Sequence, residues 1–214
     1  MTTALFVAAG YLVGSVPFGY WLVRALEHVD IRTVGSGNIG ASNVWRAYGW
    51  RFGVPVMLFD LAKGLVPALV ATQVAGALAG VLTGGAAMLG HARPIFLGFA
   101  KGGKAVATAG GAFLGVAPVV GLIAAGAWIA VFALTRYASV ASMVAACSLP
   151  LLAWGLGEPW PVIVFGGAAA GTVIALHRQN IRRLVAGGET RAKPWRQQLR
   201  AVTARAAPSS GRTP

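Results

Sequence analysis

The stretch 106-VATAGGAFLGVAPVVGLIAAGAWIAVFAL-134 carries no charged side chain and has Gly115 and Pro118 near its middle. Read as one segment it crosses a membrane once. Read as a hairpin it crosses twice, and every later segment changes sides. The rest of the chain decides between the two. Of its 214 residues 57% are hydrophobic and 11% charged, with a mean hydropathy of +0.69; a soluble domain carries about a quarter charged residues. Apolar runs recur at about 4–23, 53–76, 77–90, 106–134, 138–157 and 160–176, most of them near the length that spans ~30 Å of hydrocarbon. The expected class is an all-α, polytopic integral membrane protein, and its 30 glycines suit close helix packing in lipid.

Charge orders the runs. Arg24, Arg32, Arg46 and Arg51 lie in one polar stretch, and Arg93, Lys101 and Lys104 in a second. The tail carries Arg178, Arg182, Arg183, Arg191, Lys193, Arg196, Arg200, Arg205 and Arg212. The positive-inside bias places all three on the cytoplasmic side. The N-terminal run has no Lys or Arg before Arg24, so it reads as a retained first span with its N-terminus outside, not as a cleavable signal. An even number of crossings must then separate the second basic stretch from the tail, and only three runs remain. Folding 106–134 into a hairpin supplies the missing crossing and gives about seven transmembrane helices, N-terminus outside and C-terminus cytoplasmic. Each arm then has about 14 residues and rises only ~21 Å, which requires tilt or a thinned bilayer. Six or five spans are the alternatives. Residues 1–190 form a single transmembrane catalytic domain on this reading, and 191–214 a basic, disordered cytoplasmic tail.

The net charge of +13 points to anionic lipid more than to nucleic acid in such a chain, and no nucleic-acid partner is expected. The single Cys147 excludes an intrachain disulfide and a multi-cysteine metal site. No cofactor and no metal are expected.

Four polar clusters stand out. In 35-GSGNIGASNVWR-46, Gly35, Gly37 and Gly40 allow turns that aim successive N–H groups into one concavity, an anion nest. Ser42 or Asn43 is placed to cap a helix opening there, with Arg46 one turn in and able to fork onto a phosphate or carboxylate. In 90-GHARPIFLGFAKGGKAVAT-108, Gly98 and Gly103-Lys104 approach the P-loop spacing, but Ala105 stands where Ser or Thr would hold Mg²⁺. Nucleotide hydrolysis is rejected. What survives is a Gly-Gly turn flanked by Lys101 and Lys104 before a helix starting near Val106. In 177-HRQNIRRLVAGGE-189, His177 and Asn180 share a face if the helix continues. Asp60 and Lys63 in LFDLAKG form an i, i+3 pair inside an apolar run. Ser142 is a further polar candidate near the inner face. No G-x-S-x-G occurs, and none of His28, His91 and His177 has an Asp at the fifth position after it. The clusters are rich in cationic and amide donors and poor in bases, a chemistry that holds phosphates and stabilises charge.

GSGNIGASN, GHARPIFLGFAKGGKAVAT and HRQNIRRLVAGGE, together with LFDLAKG, resemble the acyl-phosphate-dependent glycerol-3-phosphate acyltransferases of bacteria, from about Tyr11 to Glu189. The resemblance implies a seven-helix inner-membrane enzyme with its site at the cytoplasmic face. It would transfer an acyl chain from acyl phosphate to the 1-hydroxyl of glycerol 3-phosphate, giving lysophosphatidic acid and phosphate. Carried onto this chain, Ser36, Asn38, Asn43, Arg46 and Lys104 would bind phosphate, helped by Gly103 and the 102–104 backbone, with His177 and Asn180 beside the acyl phosphate. Gly37, Ser42, Lys101, Gly102 and Ser142 complete the expected binding set. Lys104, His177, Asn180, Ser36 and Arg46 are the expected catalytic residues. The chain has Ser42 where the family usually has Thr, and Ala100 before the Lys-Gly-Gly where it has Phe. It also has Ala105 where the family has Gly, so a positive φ there would strain the turn by ~1 kcal/mol or more. Membrane lipid is the expected surrounding, and contact with the acyl-phosphate-forming enzyme is left open. The rival from another class is a membrane transporter of a phosphorylated metabolite; a non-catalytic family member is a third reading.

Overall fold

The computed structural model describes residues 1–192, and every regular element within them is helical. The tail expected to be disordered lies, from residue 193 onward, outside the described residues. Breaks in the helices follow the proline, glycine and loop signals. α1 (Thr2–Gly14) and α2 (Phe18–Glu27) replace the continuous span expected over 4–23. Pro17, which has no N–H, ends the first helix, and the Lys63 ammonium donates to the Val16 carbonyl left open in the break at 3.1 Å. α3 (Ala41–Tyr48) is short and polar on one side. α4 (Trp50–Ala92) is interrupted at Gly76, where φ is 82° and ψ 173°. The two runs expected at 53–76 and 77–90 are therefore its two arms.

The stretch 106–134 divides into two helices. α5 (Val106–Val116) and α6 (Pro118–Thr135) meet at Ala117, and Pro118 opens the second helix, the position where its missing N–H costs nothing. The arms are unequal, 11 and 18 residues, not 14 each. α5 rises only about 16 Å and lodges against the first arm of α4. A Cβ at Gly111 would lie 2.0 Å from the Leu61 carbonyl oxygen, so the two backbones touch where a side chain would hold them apart. α7 (Ala138–Gly155) and α8 (Trp160–Leu176) complete the helical body, and α9 (Arg178–Val185) leaves α8 at 59°. Phe113 of α5 and Phe165 of α8 stack at 4.9 Å in the largest core cluster.

By length and hydropathy four stretches can cross a membrane: Thr2–Glu27, Trp50–Leu97, Pro118–Thr135 and Ala138–Gly155; the bent α8–α9 pair makes a fifth. Leu58, Phe59, Leu122, Ile129 and Leu151 point outward from these helices, a surface that water would disfavour and acyl chains accommodate.

Candidate functional site

Three loops distant in sequence meet at one end of the helices. Asn38 Nδ2 donates to the Gly102 carbonyl at 3.2 Å, joining the first loop to the second. Lys104 Nζ donates to Asn180 Oδ1 at 2.5 Å, and Lys101 Nζ to Gln179 Oε1 at 3.2 Å, joining the second to the third. A cavity of about 410 Å³ opens between the first and third, lined by Gly35, Ser36, Asn43, Arg46, Arg183 and Thr190 among others.

The first loop is self-supporting. Gly35 and Gly37 adopt φ of 60° and 67°, as a nest requires, but Gly40 does not. The N–H groups of Ser36, Gly37 and Gly40 are already donated to Asn43 Oδ1, the Val34 carbonyl and Asn38 Oδ1. The open ring of donors expected there is therefore turned inward. Gly40, not Ser42 or Asn43, precedes the first turn of α3. Asn43 is buried, and its amide also donates to the carbonyls of Val34 and Asn38 at 2.9 Å each. Ser42 is exposed. The two asparagines brace the loop, leaving Ser36 and Arg46 to face the cavity.

The second loop is likewise a frame. Gly102 and Gly103 donate their N–H groups to the carbonyls of Ala92 and His91 at 3.0 Å, so neither is a free phosphate donor. The turn instead delivers the Lys104 side chain. Ala105 has φ 57° and is fully buried, which is the strained geometry that the missing glycine suggested.

At the third loop the chain bends at His177 and does not continue straight. His177 is buried, with Nδ1 2.8 Å from the Val173 carbonyl. A carbonyl only accepts, so Nδ1 carries the hydrogen and Nε2 is the basic atom of the neutral ring. Asn180 Nδ2 donates to Glu189 Oε1 at 2.5 Å. Glu189 also accepts from Ser139 at 2.8 Å and from Arg183 at 2.7 Å. Ser142 is engaged elsewhere: its hydroxyl accepts from Trp128 Nε1 at 3.1 Å and donates to the Ala138 carbonyl at 2.6 Å.

Electrostatically the site is cationic around one carboxylate. Burial pushes Lys104 down to about 8; Glu189 opposes this, while Arg183, Arg46 and Lys101 add to it. Burial raises Glu189, but hydrogen bonds from Asn180, Arg183 and Ser139 outweigh it and hold the carboxyl below its usual range. Glu189, Arg183 and Ser139 join this hydrogen-bonded cluster, although none of them is among the expected site residues. An acid directly after Gly187-Gly188, in a chain with five acids, was the available signal for the first; Ser139 had none.

The glycerol-3-phosphate acyltransferase family model matches residues 4–187. The chain belongs to this family. A glycerol-3-phosphate acyltransferase of Geobacter sulfurreducens is 49% identical, covering 88% of this chain and 97% of the relative. Its counterpart from Desulforudis audaxviator is 44% identical over 89% and 96%. Among solved structures, the glycerol 3-phosphate form of PlsY, an integral membrane glycerol 3-phosphate acyltransferase, matches with a TM-score of 0.86 and 41% identity, covering 90% of this chain and 96% of that one. The lysophosphatidic acid form of the same enzyme matches with a TM-score of 0.84. The family match thus covers the helical body and the three loops of the site as far as Gly187.

Proposed function

We propose that this protein acylates the 1-hydroxyl of glycerol 3-phosphate with acyl phosphate as donor, releasing lysophosphatidic acid and inorganic phosphate. Membership of the glycerol-3-phosphate acyltransferase family fixes the acceptor chemistry. The donor, the seven-span topology with N-terminus outside, and a site at the cytoplasmic face of a bacterial inner membrane are our reading of the charge pattern and the resemblance.

The observation that carries the mechanism is the ammonium of Lys104, held by Asn180 and within electrostatic reach of Arg46 and Arg183, two residues that line the cavity. An acyl phosphate is already activated. The hydroxyl oxygen of glycerol 3-phosphate attacks the acyl carbonyl carbon, the C–O bond to phosphate breaks, and phosphate leaves with the electron pair. No enzyme nucleophile is needed. Arg46 and Ser36 hold the acceptor phosphate, and Lys104 stabilises charge on the departing one. The hydroxyl proton passes to a substrate phosphate or to His177 Nε2. Ser42, Lys101 and Ser142 are assigned to the periphery of the site, and Asn38, Asn43, Gly37, Gly102 and Gly103 to its frame.

Purified protein supplied with acyl phosphate and glycerol 3-phosphate should release phosphate only when both are present. Release with acyl phosphate alone at the full rate would mark a hydrolase and overturn the assignment, and none with both substrates would overturn it in favour of the transporter reading. Lys104→Ala and Arg46→Ala should each lower turnover by about 100-fold or more, the scale of losing a positioned charge stabiliser.

A further inference from the structure

Beneath the glycine turn lies a buried charged cluster that the chemistry above leaves unused. Asp60 Oδ1 is 2.8 Å from Lys63 Nζ and 3.5 Å from His91 Nδ1, and none of the three side chains is more than 6% exposed. Lys63 also donates to Val16 in the break between α1 and α2. Among the described residues His91 Nδ1 has no hydrogen-bond partner. The opposite edge of the ring faces the turn: a Cβ at Gly103 would lie 1.8 Å from His91 Nε2 and 2.4 Å from Cε1. Gly103 does not have a left-handed φ, so the imidazole, not the backbone conformation, is what requires glycine there. The Gly103 N–H also donates to the carbonyl of His91 at 3.0 Å. The next residue is Lys104.

We propose that His91, seated against the Asp60–Lys63 pair, is a positioning residue for Lys104: its ring is the floor on which Gly103 rests, and it fixes the angle at which Lys104 enters the site. The cluster links the α1–α2 break, both arms of α4 and the glycine turn. A buried ion pair is no more stabilising than apolar residues of the same volume, but it fixes geometry among the elements it joins. The inference rests on the reading of Lys104 as the residue that stabilises the leaving phosphate.

The test is phosphate release by purified His91→Ala, His91→Gln, Gly103→Ala and the Gly103→Ala/His91→Ala double variant, with Lys104→Ala alongside. A misdirected Lys104 should lower kcat by about 10- to 100-fold in His91→Ala, the scale of an ångström's misplacement. KM for glycerol 3-phosphate should stay within about threefold, because Arg46 and Ser36 are untouched. Gly103→Ala should collapse kcat, and removing the ring in the double variant should restore it at least about tenfold by making room for the methyl. A folded His91→Ala with wild-type kcat overturns the proposal, as does a double variant no better than Gly103→Ala. Should His91→Ala fail to fold, His91→Gln carries the same expectation, and wild-type kcat in it overturns the proposal equally. Near-normal turnover in Lys104→Ala would instead sink the reading of Lys104 itself, whatever His91 does.

Discussion

Lys104 Nζ and Asn180 Oδ1 stand 2.5 Å apart across 76 residues of sequence. The amide oxygen holds the ammonium without neutralising it, and the amide nitrogen is tied to Glu189, so the orientation of Asn180 is fixed from both ends. Lys104 thus faces the site as a cation whose pKa is pushed from 10.5 to about 8, first by burial, with Glu189 pulling the other way. Its charged fraction falls as pH rises through about 8. We therefore expect kcat/KM to decline above about pH 8, after subtraction of spontaneous acyl phosphate hydrolysis, and Lys104→Arg to lose that limb. Stability has the opposite sign. Between about 8 and 10.5 the unfolded chain binds more protons at this residue than the folded one, so this group's contribution to stability rises with pH over that window. A flat rate profile from pH 7 to 10 would contradict the role given to Lys104.

Among the described residues Glu189 is the carboxylate that raises the pKa of Lys104. Glu189→Gln keeps an acceptor for Ser139 and Asn180 but removes the charge and the ion pair with Arg183. The alkaline limb should move to lower pH, and turnover at pH 7.5 should fall by about tenfold. An unmoved limb with normal turnover would show that Glu189 is only a brace.

Much of this arrangement was legible in the chain. Pro118 after Gly115 marks the break between α5 and α6, and Gly76 sits at the boundary of the two apolar runs that form the arms of α4. The three loops were recognisable because glycine, amide and cationic residues are conspicuous against an apolar background. What the pattern misjudged was the use of the polar groups. The pattern offers Asn43 as a cap or a phosphate ligand, yet its side chain closes the loop, since a sequence shows a donor but not its partner. The resemblance implies phosphate contacts from the Gly102 and Gly103 amides, yet the end of α4 takes them. That pairing depends on two segments ten residues apart turning back on each other, which no local periodicity reveals. The unequal arms of the hairpin likewise follow from packing of α5 on α4, not from composition.

Ala105 tests how strongly the turn depends on its backbone. At φ 57° the left-handed conformation costs a non-glycine residue about 1–2 kcal/mol, while the buried methyl contributes about 0.8 kcal/mol. The two nearly cancel. Ala105→Gly should therefore leave the thermal midpoint within about 4 °C and turnover within about twofold. Ala105→Val adds β-branching and volume at a fully buried site, and should destabilise by more than about 2 kcal/mol. A large gain of stability in the glycine variant would mean that the strain is greater than these magnitudes allow.

Asp60 and Lys63 give the sharpest stability prediction. Each is buried and each is the other's counter-charge at 2.8 Å. Asp60→Leu strands the Lys63 ammonium in a low-dielectric setting and should cost about 3–5 kcal/mol, the usual penalty for removing one member of a buried pair. Replacing both, as Asp60→Leu/Lys63→Met, removes the stranded charge and leaves only the Val16 carbonyl without its donor, a loss of about 1–3 kcal/mol. The double variant should thus unfold at a higher temperature than Asp60→Leu alone, though below the wild type. If instead the double variant unfolds at a lower temperature than Asp60→Leu, the residues do not stabilise one another and the ion pair is incidental to the fold.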